Sequence, residues 1–185
     1  MKRVFLRMQA LAAFAAATFC AAPLSTFAEQ RPSEVTGVRA VTVAMLDGHP
    51  QRRGLSPEAV LIEMNRERKR RGLPALYMSR SLNAAAEDRL GDMFEQGYFA
   101  HDAPDGTSPF VALRRRGYPF LSAGENLASG QTSAAQVVEQ WMRSPGHRAN
   151  ILGRFEDAGV AIALGSPTGR GSGYTFVALY ARRRS

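Results

Sequence analysis

Residues 174–180, Tyr-Thr-Phe-Val-Ala-Leu-Tyr, are apolar at nearly every position. Successive side chains of a strand point to opposite faces of its sheet, so a strand of this composition needs cover on both faces. Just upstream, Val160, Ile162 and Leu164 alternate with alanines, which is also the period of a strand. Between the two lie residues 165–173, four of them glycine, and this stretch reads as a hairpin loop. The two strands are therefore expected to pair antiparallel, with helices above and below.

Four helices are available to supply that cover. Ser56-Pro57-Glu58 combines an N-cap, a proline at the first helical position and an acid near the positive end of the dipole. Leu55 and Val60 are spaced to form a hydrophobic staple, Val60, Leu61 and Met64 make the buried stripe, and Gly72 with Pro74 stops the helix. A second helix runs from about Ser81, where Leu82, Ala85, Ala86, Leu90, Met93 and Phe94 keep the 3.6 period, to Gly97. Ser108-Pro109 begins a short third helix ended by Gly117. Ser133 begins a fourth, with Ala134, Val137, Val138, Trp141 and Met142 on one face, closed by Pro145-Gly146. The fold class is accordingly α+β, with a small central antiparallel sheet between helical layers. Trp141 lies in an apolar stripe and reads as core rather than as a ligand platform.

The amino terminus has a different grammar. Lys2, Arg3 and Arg7 precede an almost wholly apolar run from Leu11 to Leu24, followed by small residues at Thr26 and Ala28. That is the layout of a secretory signal, expected to occupy residues 1–28 with cleavage after Ala28. The run falls short of the roughly 20 residues that span a bilayer, which disfavours a retained membrane anchor, and no transmembrane segment is expected after cleavage. Cys20 is preceded by Phe19 where a lipidation site wants a small residue. Residues 29–54 show no sustained period and read as a lead-in that includes the isolated His49, and residues 55–185 form the domain. The mature chain then contains no cysteine, so no disulfide and no thiolate chemistry is open to it. Secretion or a periplasmic location is the expectation.

Beyond the leader, 21 basic residues face 16 acidic ones, a net charge of +5. Arginines cluster at Arg66 to Arg71, Arg114 to Arg116 and Arg182 to Arg184. Most fall near expected helix ends, where solvated cations suit the dipole. A cationic module on an anionic envelope surface is the alternative. Nucleic acid is not an expected partner.

Three segments look unlike plain connectors: Tyr98 to Gly106, with His101; Gly124-Glu125-Asn126-Leu127; and Ser144 to Leu152, with His147. All three are read as loops next to well-defined helices, where sites are commonly built. A carboxylate beside two imidazoles can make an open metal site or an acid-base set. Spacing alone leaves open whether His101 and His147 share a site or each caps its own loop. Gly-x-Ser-x-Gly is absent, and Gly171-Ser172-Gly173 precedes a strand, not the helix that a phosphate cradle needs.

At these segments the chain resembles the CAP superfamily of cysteine-rich secretory, antigen 5 and pathogenesis-related proteins, most of all its short bacterial branch. The resemblance is carried by His101 with the following Asp-x-x-Asp-Gly, by Gly124-Glu125-Asn126-Leu127, and by Trp141-Met142-x-Ser144-Pro145-Gly146-His147-Arg148-x-Asn150-Ile151-Leu152. It implies a three-layer α-β-α sandwich with a cleft, lined here by His101, Glu125 and His147, with Asn126 and Ser144 beside them. Larger eukaryotic members hold a divalent metal on two histidines and two glutamates. The resemblance offers His101 and His147 as ligands of a metal such as zinc, but Ser144 stands where the second glutamate would be, and Glu139 is on a different helical face. The implied function is an exported binding protein for a small or lipid-like ligand. The alternative is a metal-dependent hydrolase of envelope or host polymers, with Glu125 as general base.

Overall fold

Residues 54–184 are described by a computed structural model. The expected signal segment, the lead-in up to Arg53, with the strand considered at Val38 to Leu46, and His49 all lie outside the described residues. The elements follow the chain as α1 (Pro57–Lys69), β1 (Tyr77–Met78), α2 (Arg80–Gln96), α3 (Val111–Arg115), β2 (Phe120–Gln131), α4 (Ala134–Arg143), α5 (Pro145–Leu152), β3 (Asp157–Leu164) and β4 (Tyr174–Arg183).

Side-chain oxygens start the longer helices as the sequence suggests. Ser56 Oγ accepts from the Ala59 amide at 3.1 Å, and Ser133 Oγ from the Gln136 amide at 3.3 Å. Ser79, two residues before the expected start, caps α2. Gly97 closes α2 in the left-handed conformation, φ 69°, which costs glycine no Cβ clash.

The sheet has the order β1-β3-β4-β2. β3 and β4 form the expected antiparallel hairpin, with Leu164 opposite Tyr174. β1, not foreseen, adds two residues parallel to β3. β4 has strand neighbours on both sides and a helical layer on each face. Phe176, Ala178 and Tyr180 point into one core with Val60 and Met64 of α1, Val137 and Trp141 of α4 and Ile151 of α5. Val177, Leu179 and Ala181 point into the other, with Leu82, Ala86, Leu90 and Met93 of α2 and Leu113 of α3. This alternation explains a strand apolar at nearly every position, and enclosing Phe176 alone contributes roughly 2–3 kcal/mol.

Two of the three segments read as loops are regular structure. Gly124 to Leu127 lies inside the twelve-residue strand β2, and Pro145-Gly146 opens α5 rather than merely ending α4. Ser144 serves as C-cap of α4 and N-cap of α5, and proline suits the first position of the new helix. β2 is an edge strand, but its outer side is covered. Asn150 Nδ2 donates to Glu125 O at 3.0 Å, and Trp141 Nε1 donates to Leu127 O at 3.1 Å. Helix side chains thus take up carbonyls that would otherwise template pairing with another chain.

The arginine run of α1 also divides. Arg70 and Arg71 are exposed beside Glu67, as solvated cations should be. Arg68 is instead 2% exposed, with its guanidinium donating to the carbonyls of Pro74, Ile151 and Gly153 at 2.7–2.9 Å. It lies four residues beyond Met64, on the same buried stripe.

Candidate functional site

Adjacent residues of a strand face opposite ways, and β2 uses this at Glu125 and Asn126. Glu125 is turned toward α2, and its carboxylate is buried, its side chain 2% exposed. Arg89 Nε donates to Glu125 Oε2 at 3.2 Å, and His101 Nδ1 lies 2.8 Å from Oε1, the separation of an imidazole N–H donating to a carboxylate. Arg89 Nη2 also donates to the carbonyls of Ala100 and His101 at 3.0 and 2.7 Å. One buried arginine therefore ties the strand carboxylate to the segment carrying His101. Tyr98 and Asp92 complete the network, with the Tyr98 hydroxyl donating to Asp92 and accepting from Arg89.

Asn126 points the other way, toward α5. Its Nδ2 donates to His147 O and to the Tyr180 hydroxyl, each at 3.1 Å, and its Oδ1 accepts from Asn150 Nδ2 at 2.8 Å. Asn126 is fully buried and so cannot touch a ligand; it clamps the first turn of α5 and thereby sets His147. The glycine before Glu125 belongs to the same fit. A Cβ on Gly124 would lie 2.6 Å from Asn150 Oδ1, so only glycine lets α5 approach this closely. Ser144 is half-buried at the start of α5 and makes no side-chain capping bond.

The two histidines reach the edge of β2 from opposite layers. Their ring centroids are 6.4 Å apart and their planes 60° apart. His101 keeps 56% of its side chain exposed and His147 is half-buried, so the pair opens to solvent. The hydrogen bond from His101 to Glu125, opposed by burial and helped by the carboxylate charge, raises the His101 pKa above its ordinary value. Burial, and then the nearby charge of His101, lower that of His147. Of the two rings, His101 is therefore the one that takes up a proton first as pH falls. A separate cavity of about 430 Å³ between α2 and α3 is lined by Asp88, Asp92, Glu95, Asp105, Arg89 and their neighbours, and by none of the five expected site residues.

The model of the cysteine-rich secretory protein family, CAP, matches residues 61–180. The chain belongs to this family. Among curated relatives, the uncharacterized Bacillus subtilis protein YkwD is 40% identical over 96 residues, which cover 51% of this chain and 37% of that protein. YlbC of the same organism, described as an uncharacterized membrane protein, is 30% identical over 130 residues, covering 69% and 38%. The chain thus spans less than two fifths of the length of either. An extracellular SCP-domain protein of Bacillus anthracis superposes with a TM-score of 0.60 at 26% identity, covering 69% of this chain and 40% of that one. An outer surface protein of Borrelia burgdorferi gives 0.61 at 23% identity, covering 69% and 92%, and shows the shared fold. Among the described residues no helix is long and apolar enough to cross a membrane.

The metal expected by analogy with larger CAP members meets a different donor set. Both Glu125 oxygens are engaged, by His101 and by Arg89, so the carboxylate orients an imidazole and is not free to ligate. Two imidazoles remain, one short of the three protein ligands usual at catalytic zinc. Glu139 pairs with Arg143 on the exposed side of α4. Among the described residues no group of three or more His, Cys, Asp or Glu is placed to hold a metal ion. The residues present do not fit a three-ligand site.

Arg89 was not picked out from the sequence, and Tyr98 and Asn150 stood out only as members of their segments, without a role at the site. A signal for Arg89 exists: it lies between Ala86 and Met93 on the apolar stripe of α2, where a charge needs a buried partner.

Proposed function

We propose that this chain is an exported CAP-domain protein that binds a small amphiphilic ligand, with the ligand's polar head between His101 and His147. The single observation that carries the reading is the pairing of two half-open imidazoles, one held by a buried Arg89-Glu125 pair and the other by Asn126. When protonated, His101 donates from its free nitrogen, and a neutral His147 can accept, which suits a hydroxyl or carboxylate head. Phe99, 39% exposed two residues before His101, offers apolar surface for the rest of the molecule. The leader-like amino terminus and the extracellular description of the Bacillus anthracis relative support export.

Hydrolysis of a polymer with Glu125 as general base finds no such support, because the carboxylate has no unengaged oxygen and is closed off from solvent. The test is titration of the mature protein with a fluorescent long-chain fatty acid and a fluorescent sterol, beside a folded His101→Ala/His147→Ala variant. Binding of either probe weakened about tenfold or more in the variant is expected. Equal binding by the two proteins, or none by either, overturns the proposal.

A further inference from the structure

A second feature lies on the other side of α5 and is independent of the histidines. Arg68 is a buried cation whose described partners are all backbone carbonyls, Phe155 O at 3.4 Å completing the set. Carbonyl dipoles offset part of the desolvation cost, but no carboxylate neutralises the charge, and burial lowers the Arg68 pKa. Above it runs a groove of about 330 Å³ whose walls include Arg154, Arg182, Tyr77 and Leu152.

Arg182 reaches this groove through the alternation of β4. It follows Tyr180 by two residues and so shares its face, whereas Arg183 turns to the opposite face and pairs with Asp157. Among the described residues neither Arg154 nor Arg182 has an ion-pair partner. The one carboxylate lining the groove is Glu156, whose Oε2 accepts the Arg183 amide at 3.2 Å. Three guanidinium charges against one carboxylate leave the groove electropositive, with a concave shape that concentrates the field.

We propose that this groove is an anion-binding site for a phosphate group, held by Arg154 and Arg182 over the buried charge of Arg68. Guanidinium suits phosphate because its planar N–H fork matches two oxygens at once. Arg68 contributes potential rather than contacts, since it is buried and four of its five N–H donors go to backbone carbonyls. The phosphate can come from a soluble ester or from a lipid headgroup, with Tyr77 and Leu152 beside it.

The two sources are separated by calorimetry with inorganic phosphate and by co-sedimentation with phosphatidylcholine vesicles, with and without phosphatidylglycerol. An Arg154→Glu/Arg182→Glu variant is compared with wild type, and an Arg114→Glu/Arg115→Glu variant makes the same change of net charge on α3, in the other helical layer. At low salt, wild type is expected to bind at least one probe about tenfold more tightly than the groove variant, with the α3 variant within about twofold of wild type. Phosphate binding assigns a soluble ester; binding to phosphatidylglycerol vesicles alone assigns a headgroup. An equal loss in both variants reduces the effect to net charge and overturns the site, as does failure of wild type to bind either probe.

Discussion

At the scale of single residues, the site is organised by protonation. His101 and His147 are the same residue type, driven apart by surroundings: one donates to a buried carboxylate, the other is half-buried beside a positive neighbour. The signs oppose one another in stability as well. The pairing of His101 is fully stabilising below the ordinary histidine value of 6.5 and is lost as pH rises through its raised pKa. For His147 the unfolded chain binds the proton more readily, so stability falls as pH drops through 6.5 toward its lowered pKa. Imidazole NMR titration is expected to place His101 above 6.5 and His147 below it, and Glu125→Gln to bring His101 to 6.5 or lower. An unchanged His101 titration in that variant would sever the pairing with Glu125. Both histidines were legible in the sequence as chemistry-bearing residues in unusual segments. The role of Arg89 was not legible, because an arginine on an otherwise apolar stripe does not record in sequence which buried partner it meets.

At the scale of elements, close packing depends on positions where a side chain is missing. α2 lies so near β3 that a Cβ on Gly159 would stand 2.1 Å from the carbonyl carbon of Leu82 and 2.4 Å from the Asn83 amide nitrogen. The contact is backbone against backbone and cannot be relieved by a rotamer change. The same approach lets Asn83 Oδ1 accept the Val160 amide at 2.9 Å. Gly159→Ala is expected to destabilise the domain by about 3 kcal/mol or more, measured by urea unfolding. A loss under about 0.5 kcal/mol would show that the two elements can separate freely. The helices other than α5 were readable from capping residues and period, and β4 from its nearly unbroken apolar run. β2 was not, because its Gly-Glu-Asn-Leu-Ala-Ser-Gly sequence lacks apolar alternation; its strand geometry comes from backbone pairing with β4.

At the scale of the whole molecule, two cores on either side of one sheet hold together a domain that has no cysteine beyond residue 20. Such a domain relies on burial where many exported proteins use disulfides. The proposed export predicts a defined new amino terminus. Protein recovered from the envelope or medium is expected to begin at Glu29 on amino-terminal sequencing, and recovery with Met1 intact would remove the signal-peptide reading. The layers also decide where function can sit. The histidine pair forms at the edge of β2, where segments from the two helical layers meet, and the arginine groove forms beside the short strand β1.

What the sequence by itself determined is local or periodic: the capped helices, the β3-β4 hairpin, the requirement for cover on both faces, and the segments by which the CAP family is recognised. Each depends on residues within a few positions of one another, so the signal survives without coordinates. Only the tertiary structure decided that Glu125 pairs with Arg89 and His101, that Asn126 is a buried clamp, and that Arg68 is enclosed. Apart from the bond between Arg68 and Pro74, those outcomes join residues 21 to 87 positions apart in the chain. The partner of a buried polar group is set by which elements pack together, and spacing along the chain does not record that choice.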